Sequence, residues 1–194
     1  MAKTWTAIVL AAGRGPNDPM AKAYGVSHKC TLPVNGVPML RRVVKALQES
    51  QSIASIAISI DSPAIVGEAL AEKDSSIAVV PSESSAPLSA IVAIRKSSTF
   101  PVLLTTADHA LLTPEMVDYF CEHAGRNGAD FSAGLARAEV IMKAYPQSVR
   151  TFFRFGTDRV SGCNLFAITN ANGLRILEKW QYLEQSRKKP WRLV

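Results

Sequence analysis

The sequence has no run of the roughly 20 apolar residues needed to cross a bilayer. Its first apolar stretch, residues 5–10, is short and is followed closely by Arg14. It lacks the longer apolar segment and the cleavage site of a secretory signal. Cysteine is scarce: Cys30, Cys121 and Cys163 form an odd, widely spaced set, which makes neither a disulfide framework nor a zinc site. They read as small, buried or half-buried apolar residues, and a reducing cytoplasm is the expected location. Aromatic residues make up only 7% of the chain, too few for a platform on which successive bases stack. The net charge of +6 points to nucleic acid at first sight. Four of those charges, however, belong to Arg187, Lys188, Lys189 and Arg192, a segment expected to be solvated. The small remaining excess suits an enzyme that handles phosphates and leaves no basic stripe along which a polynucleotide would run.

A hydrophobic content of 47% beside 20% charged residues is that of a folded globular chain, and 194 residues without repeats or low-complexity linkers predict a single domain over 1–194. Apolar runs at 6–12, 53–60, 77–80 and 101–106 predict strands, the first buried on both faces and the last also buried. Between them, Pro38 is predicted in the first turn of a helix on which Met39, Val43, Val44 and Leu47 share one face, and residues 63–72 and 88–97 are predicted helical. Thr113-Pro114-Glu115 supplies an N-cap, a first-turn proline and an early acid, so a helix is predicted to start there and to end near Gly125. Residues 129–140, 151–155 and 159–168 are predicted extended, and Asn170 opens a helix towards Ser186. Residues 13–36 are predicted as one long loop. This alternation implies an α/β fold with a mostly parallel sheet into which later strands bring antiparallel pairs. Ligands then belong beyond the carboxyl ends of the parallel strands, which directs attention to Gly13, Asp61, residues 84–89 and Asp108.

The loop after the first strand, Ala11-Ala12-Gly13-Arg14-Gly15, lets backbone N–H groups approach an anion, and the Arg14 guanidinium matches phosphate oxygens bidentately. It is not a dinucleotide fingerprint, because Asp18, between prolines, stands where a third glycine would open a helix. Nor is it a kinase-type phosphate loop, because no Gly-Lys-Ser/Thr follows. Asp108, at the end of a buried apolar strand, offers a hard carboxylate suited to Mg²⁺ or Mn²⁺, although an aspartate there can also cap a turn. His109 beside it is expected to be exposed or internally satisfied. Arg150 and Arg154 can grip an anionic acceptor or simply face solvent.

Taken together, Leu10-Ala11-Ala12-Gly13-Arg14, the spaced Lys29 and Leu32, and Gly36-x-Pro38-Met39-Leu40 resemble the opening of the MobA-like nucleotidyltransferases. These include the molybdenum-cofactor guanylyltransferases, with sugar-phosphate and methylerythritol-phosphate nucleotidyltransferases as wider relatives. The resemblance implies a Rossmann-like three-layer sandwich of the nucleotide-diphospho-sugar transferase type. It also implies an activity: transfer of a nucleotidyl group from a nucleoside triphosphate, GTP included, to a small phosphorylated acceptor. Arg14 and Lys29 would bind the triphosphate, with Ala11, Ala12, Gly13 and Gly15 around it. Asp108 would hold the metal. Ser85, Leu88 and Ser89 correspond to a turn near base and ribose, with Asp61 a weaker candidate for the nucleotide. Asn164 matches a strand position that helps hold metal or acceptor. Two alternatives remain open: a glycosyltransferase, although Asp108-His109-Ala110 lacks the second acid of an Asp-x-Asp motif, and a non-catalytic nucleotide-binding module. Oligomeric state is not legible.

Overall fold

The computed structural model describes residues 4–13, 18–71 and 74–187. The predicted strand at 6–12 is β1 (Trp5–Leu10), and it lies at the centre of a seven-stranded sheet. Parallel neighbours flank it, β4 (Ile53–Ile60) on one side and β6 (Val102–Thr106) on the other. β5 (Ile77–Pro81) extends the sheet beyond β4. On the far side β9 (Asp158–Ile168) runs antiparallel to both β6 and β7 (Phe131–Arg137), and β8 (Phe153–Phe155) pairs back onto β9. The spatial order is β5-β4-β1-β6-β9-β7.

Near-continuous apolar runs on β1, β4 and β6 follow from helices covering both faces. On one face Val9, Ile58 and Leu103 pack against α2 (Met39–Glu49), α3 (Ala64–Leu70) and α5 (Pro114–Arg126) through Val43, Leu47, Ile65 and Val117. On the other, Ile8, Leu104 and Ile168 pack against α4 (Ala86–Ser97) and α7 (Leu174–Arg187) through Ile91, Ile94 and Leu177. The result is a mixed, mostly parallel α/β sheet in a three-layer sandwich.

Three local expectations are corrected. Residues 13–36 are not one loop: their described part holds α1 (Pro19–Ala23), a 3-10 turn at Lys29–Thr31 and β2 (Pro33–Val34), which pairs with β3 (Val37–Pro38). Asp18 causes the first of these, because its carboxylate accepts from the N–H groups of Met20 and Ala21, both at 3.0 Å, and caps α1. Pro38 is the N-cap of α2 and not its first residue. Extension after Asp130 stops at Arg137. Ala138–Ala144 forms α6, with Glu139 in its first turn, Lys143 in its last and Ile141 buried, a charge order that favours the helix dipole.

Candidate active site

The chain goes from β1 to β4 and β5 on one side, then returns to the other side of β1 as β6. A crevice opens beyond the carboxyl ends of strands at such a reversal. Here it is a cleft of about 870 Å³, within the range of ligand pockets. The β1 loop contributes Ala11, Ala12 and Gly13. The β6 end contributes Asp108, and the 3-10 turn contributes Lys29.

Asp61, one residue past β4, holds the first wall together. Its Oδ1 accepts from the Gly13 N–H and from His28 Nε2, each at 3.1 Å. The opposite ring nitrogen of His28 meets Ser27 Oγ at 3.0 Å, and the His28 carbonyl accepts from the Thr31 N–H at 3.1 Å. Asp61 thus ties the glycine loop to the residue that precedes Lys29. A Cβ on Gly13 would sit 3.3 Å from the His28 ring, so a side chain there would crowd this link. Partial burial alone would raise the Asp61 pKa. Hydrogen bonds from the Gly13 N–H, its own N–H and His28 outweigh that and lower it.

Lys29 reaches across the cleft to Asp108, with Nζ to Oδ2 at 2.6 Å. The other carboxylate oxygen accepts from Thr106 Oγ1 at 2.6 Å. Burial pushes the Asp108 pKa up, but these two hydrogen bonds and the Lys29 charge pull it below the ordinary value. His109 is neither exposed nor satisfied: it is half-buried, and its buried Nδ1 has no hydrogen-bond partner among the described residues. Burial and the Arg150 charge lower its pKa against the opposing influence of Asp108.

Ser85 and Ser89 line the cleft, but their hydroxyls are engaged within the protein. Ser89 Oγ donates to the Ser85 carbonyl at 2.9 Å and accepts from the Glu83 N–H at 2.8 Å; Ser85 Oγ caps Leu88 N–H at 3.4 Å. They shape the turn before α4, and Glu83 lines the cleft beside them. Asn164 also lines the cleft, and it has φ 52°. This left-handed residue sits where β7 shifts register between Ala133 and Leu135, a bulge whose backbone asparagine tolerates. Arg150 is exposed and donates to the Gly162 carbonyl at 3.1 Å, while Arg154 is exposed on β8. Neither lines the cleft, nor do Asp61 and Leu88. Arg14 and Gly15 lie outside the described residues, as do Lys188, Lys189 and Arg192.

Sequence reasoning missed His28, Thr106, Glu83, Trp180 and Glu184. Only His28, next to Lys29, carried a local signal. A divalent cation, implied by the resemblance, has its two predicted ligands, Asp108 and Asn164, on this cleft, which Asp18, Glu83 and Glu184 also line. No group of three His, Cys, Asp or Glu side chains gathers among the described residues. That donor set fits an ion held chiefly by the phosphates of a bound ligand.

Among solved structures, the fold is shared with a hypothetical transferase from Thermus thermophilus, at 23% identity and TM-score 0.76 over 100% of this chain and 76% of that one. It is also shared with 4-diphosphocytidyl-2C-methyl-D-erythritol synthase from Anaerococcus prevotii, at 15% identity and TM-score 0.63 over 93% and 76% of the two chains. A nucleotidyl transferase from Methanothermobacter thermautotrophicus aligns at 21% identity and TM-score 0.58 over 91% and 74%. No curated protein matches the chain. Among the described residues no helix is long and apolar enough to cross a membrane. The family model of the MobA-like NTP transferase domain matches residues 7–153, which carry the glycine loop, Lys29 and Asp108. The chain belongs to that family of nucleotidyltransferases.

Proposed function

We propose that the chain moves a nucleotidyl group from a nucleoside triphosphate to a small phosphorylated acceptor and releases pyrophosphate. The observation that carries this reading is the Lys29–Asp108 pair at 2.6 Å, set in the cleft between the glycine loop and the start of α4. A cation and a carboxylate held in contact form a charge-neutral resting pair. A triphosphate competes for the cation and so leaves the carboxylate to balance positive charge elsewhere.

Lys29, with Arg14, binds the β- and γ-phosphates and stabilises charge on the departing pyrophosphate. The N–H group of Ala12 lines the approach of the polyphosphate, while that of Gly13 is held by Asp61. An oxygen of the acceptor phosphate bonds to the α-phosphorus, the bond from that phosphorus to the α–β bridging oxygen breaks, and the electron pair leaves with pyrophosphate. An acceptor phosphate is already ionised near neutral pH, so no strong general base is required. Mg²⁺ or Mn²⁺, held by Asp108 and Asn164, would neutralise negative charge at the α-phosphate. Removal of the Asp108 carboxylate then impairs turnover more than binding.

The test is pyrophosphate release with Mg²⁺, each of the four triphosphates and a panel of phosphorylated acceptors. GTP comes first, on the resemblance to the guanylyltransferases. Calorimetry measures triphosphate binding in parallel. Acceptor-dependent pyrophosphate is the expected result. Absence of release with every pair, together with no triphosphate binding, overturns the reading.

A further inference from the structure

Helix α7 brings to the cleft two side chains to which the proposed chemistry gives no role. Its inward stripe runs Leu174, Leu177, Trp180 and Glu184 along one helical face. Leu177 is fully buried against the α4 side of the sheet, which fixes the helix. One turn on, Trp180 meets Phe166 with ring centroids 6.0 Å apart, and Phe166 meets Phe131 at 6.1 Å. Trp180 is the outermost ring of this series and keeps 38% of its surface exposed. Trp180, Glu184, Phe166 and Asn164 all line the cleft. All four lie beyond residue 153, where the match to the family model ends.

Their place in the sheet decides which ligand they meet. Phe166 is paired with Leu104 across β9 and β6, so the aromatic wall stands on the Asp108 side of β1. The other side, over β1 and β4, is walled by Glu83 and by small residues, Ala11, Ala12, Ser85 and Ala86 among them, which leave room for a nucleobase. We infer that Trp180, Phe166 and Glu184 form the subsite for the body of the acceptor. That acceptor is a phosphorylated ring with a flat apolar face and hydroxyl or amino donors on its edge. The inference rests on the nucleotidyl-transfer reading and assigns its second substrate.

The chemistry follows from the side chains. A ring, whether a puckered saccharide with a face of C–H groups or a planar heterocycle, buries one whole face against an indole, whereas a linear polyol has no such face to bury. The Glu184 carboxylate only accepts hydrogen bonds when ionised, so it favours edge O–H or N–H groups and disfavours a second anion beside it.

The experiment uses the full chain with Trp191→Phe, which leaves buried Trp5 and cleft-facing Trp180 as fluorophores. Hexose 1-phosphates and pyridoxine 5′-phosphate serve as saccharide and heterocyclic rings. Glycerol 3-phosphate and erythritol 4-phosphate serve as linear controls. A saturable change in fluorescence with at least one ring, and none with the linear esters, is expected without any triphosphate. Which ring responds tells the saccharide from the heterocycle. In turnover, Trp180→Ala raises the acceptor KM at least tenfold and leaves the triphosphate KM unchanged. Trp180→Phe restores most of the loss, and Glu184→Gln falls between. Linear esters that work as well as rings, no ring response, or an unmoved acceptor KM in Trp180→Ala overturns the inference. Pyrophosphate release with linear esters leaves the transfer reading intact. Ring binding without pyrophosphate from any pair does the opposite.

Discussion

Lys29 Nζ donates to Asp108 Oδ2 at 2.6 Å although the two residues stand 79 positions apart in the chain. Each is about a third exposed, so the pair is open to solvent and to an incoming ligand. Such a contact adds little to stability. Its consequence is functional, because a phosphate must take the lysine from the aspartate. Lys29→Ala is expected to weaken triphosphate binding at least tenfold in calorimetry. Asp108→Asn, nearly isosteric, is expected to keep binding within a few-fold and to lower turnover on the order of 10²-fold or more. Equal loss of both properties in the two variants would remove the division of roles.

The acid limb follows from the same pair. The Asp108 pKa in the folded chain lies below its ordinary value of 3.8. The stabilisation from its ionised form is therefore complete above that value and is lost as pH falls through the lower, folded pKa. Lys29→Met removes the charge and one hydrogen bond while burial remains, so the pKa rises. NMR titration of the Asp108 carboxyl is expected to move to higher pH in Lys29→Met. A titration that stays in place refutes the assignment of Lys29 as a cause.

Asp61 is a positioning residue. Its carboxylate joins Gly13 to His28, and His28 precedes Lys29. Asp61→Ala is expected to raise the triphosphate KM about tenfold with a smaller effect on kcat. Asp61→Asn, which keeps an acceptor oxygen, recovers part of the loss. A purely structural role would instead lower the melting temperature of both variants and leave KM where it was.

Gly173 is where the chain enters α7 against Asp130. A Cβ there would collide with the Asp130 carbonyl and sit 2.9 Å from Ile168 Cγ2. Gly173→Ala is expected to destabilise the fold by about 1–3 kcal/mol, the usual cost of overpacking, as read by denaturant unfolding. Because α7 carries Trp180, the variant should also shift the tryptophan emission. Unchanged stability would mean that the backbone moves aside freely.

The thiols are expected to be inert. Burial pushes Cys30 up to about 11 and Cys121 up to about 12. Iodoacetamide at pH 8 should label both slowly in the native chain and rapidly in denaturant, and mass spectrometry of the peptides reads the difference. Fast native labelling of Cys30, which lines the cleft, would show that the cleft opens further than this structure.

Much of the architecture was legible because its signals are local. Apolar runs of five to eight residues announced β1, β4 and β6, and Thr113-Pro114-Glu115 announced the start of α5, since a cap and a first-turn proline act within one helical turn. The start of α6, residues 138–140, was read as the end of a strand because Ala138-Glu139-Val140 continues an apolar-polar alternation that fits either period over so few residues. At the cleft, the types of Lys29, Asp108 and Asn164 were visible, but not which of them meet.

Residue type and short-range order belong to the sequence itself: the glycine loop, the lysine ahead of Leu32, the carboxylate at a strand end. Which strands become neighbours is decided only when the sheet forms, because side-chain burial, a non-local quantity, selects the order. That order places Lys29 on Asp108, lets Asp61 hold Gly13 and His28 together, and sets Asn164 at a bulge on the rim of the cleft. It also lays α7 over β9, so that Trp180 and Glu184, ordinary residues on a helical stripe, face the same cleft as the phosphate-handling groups.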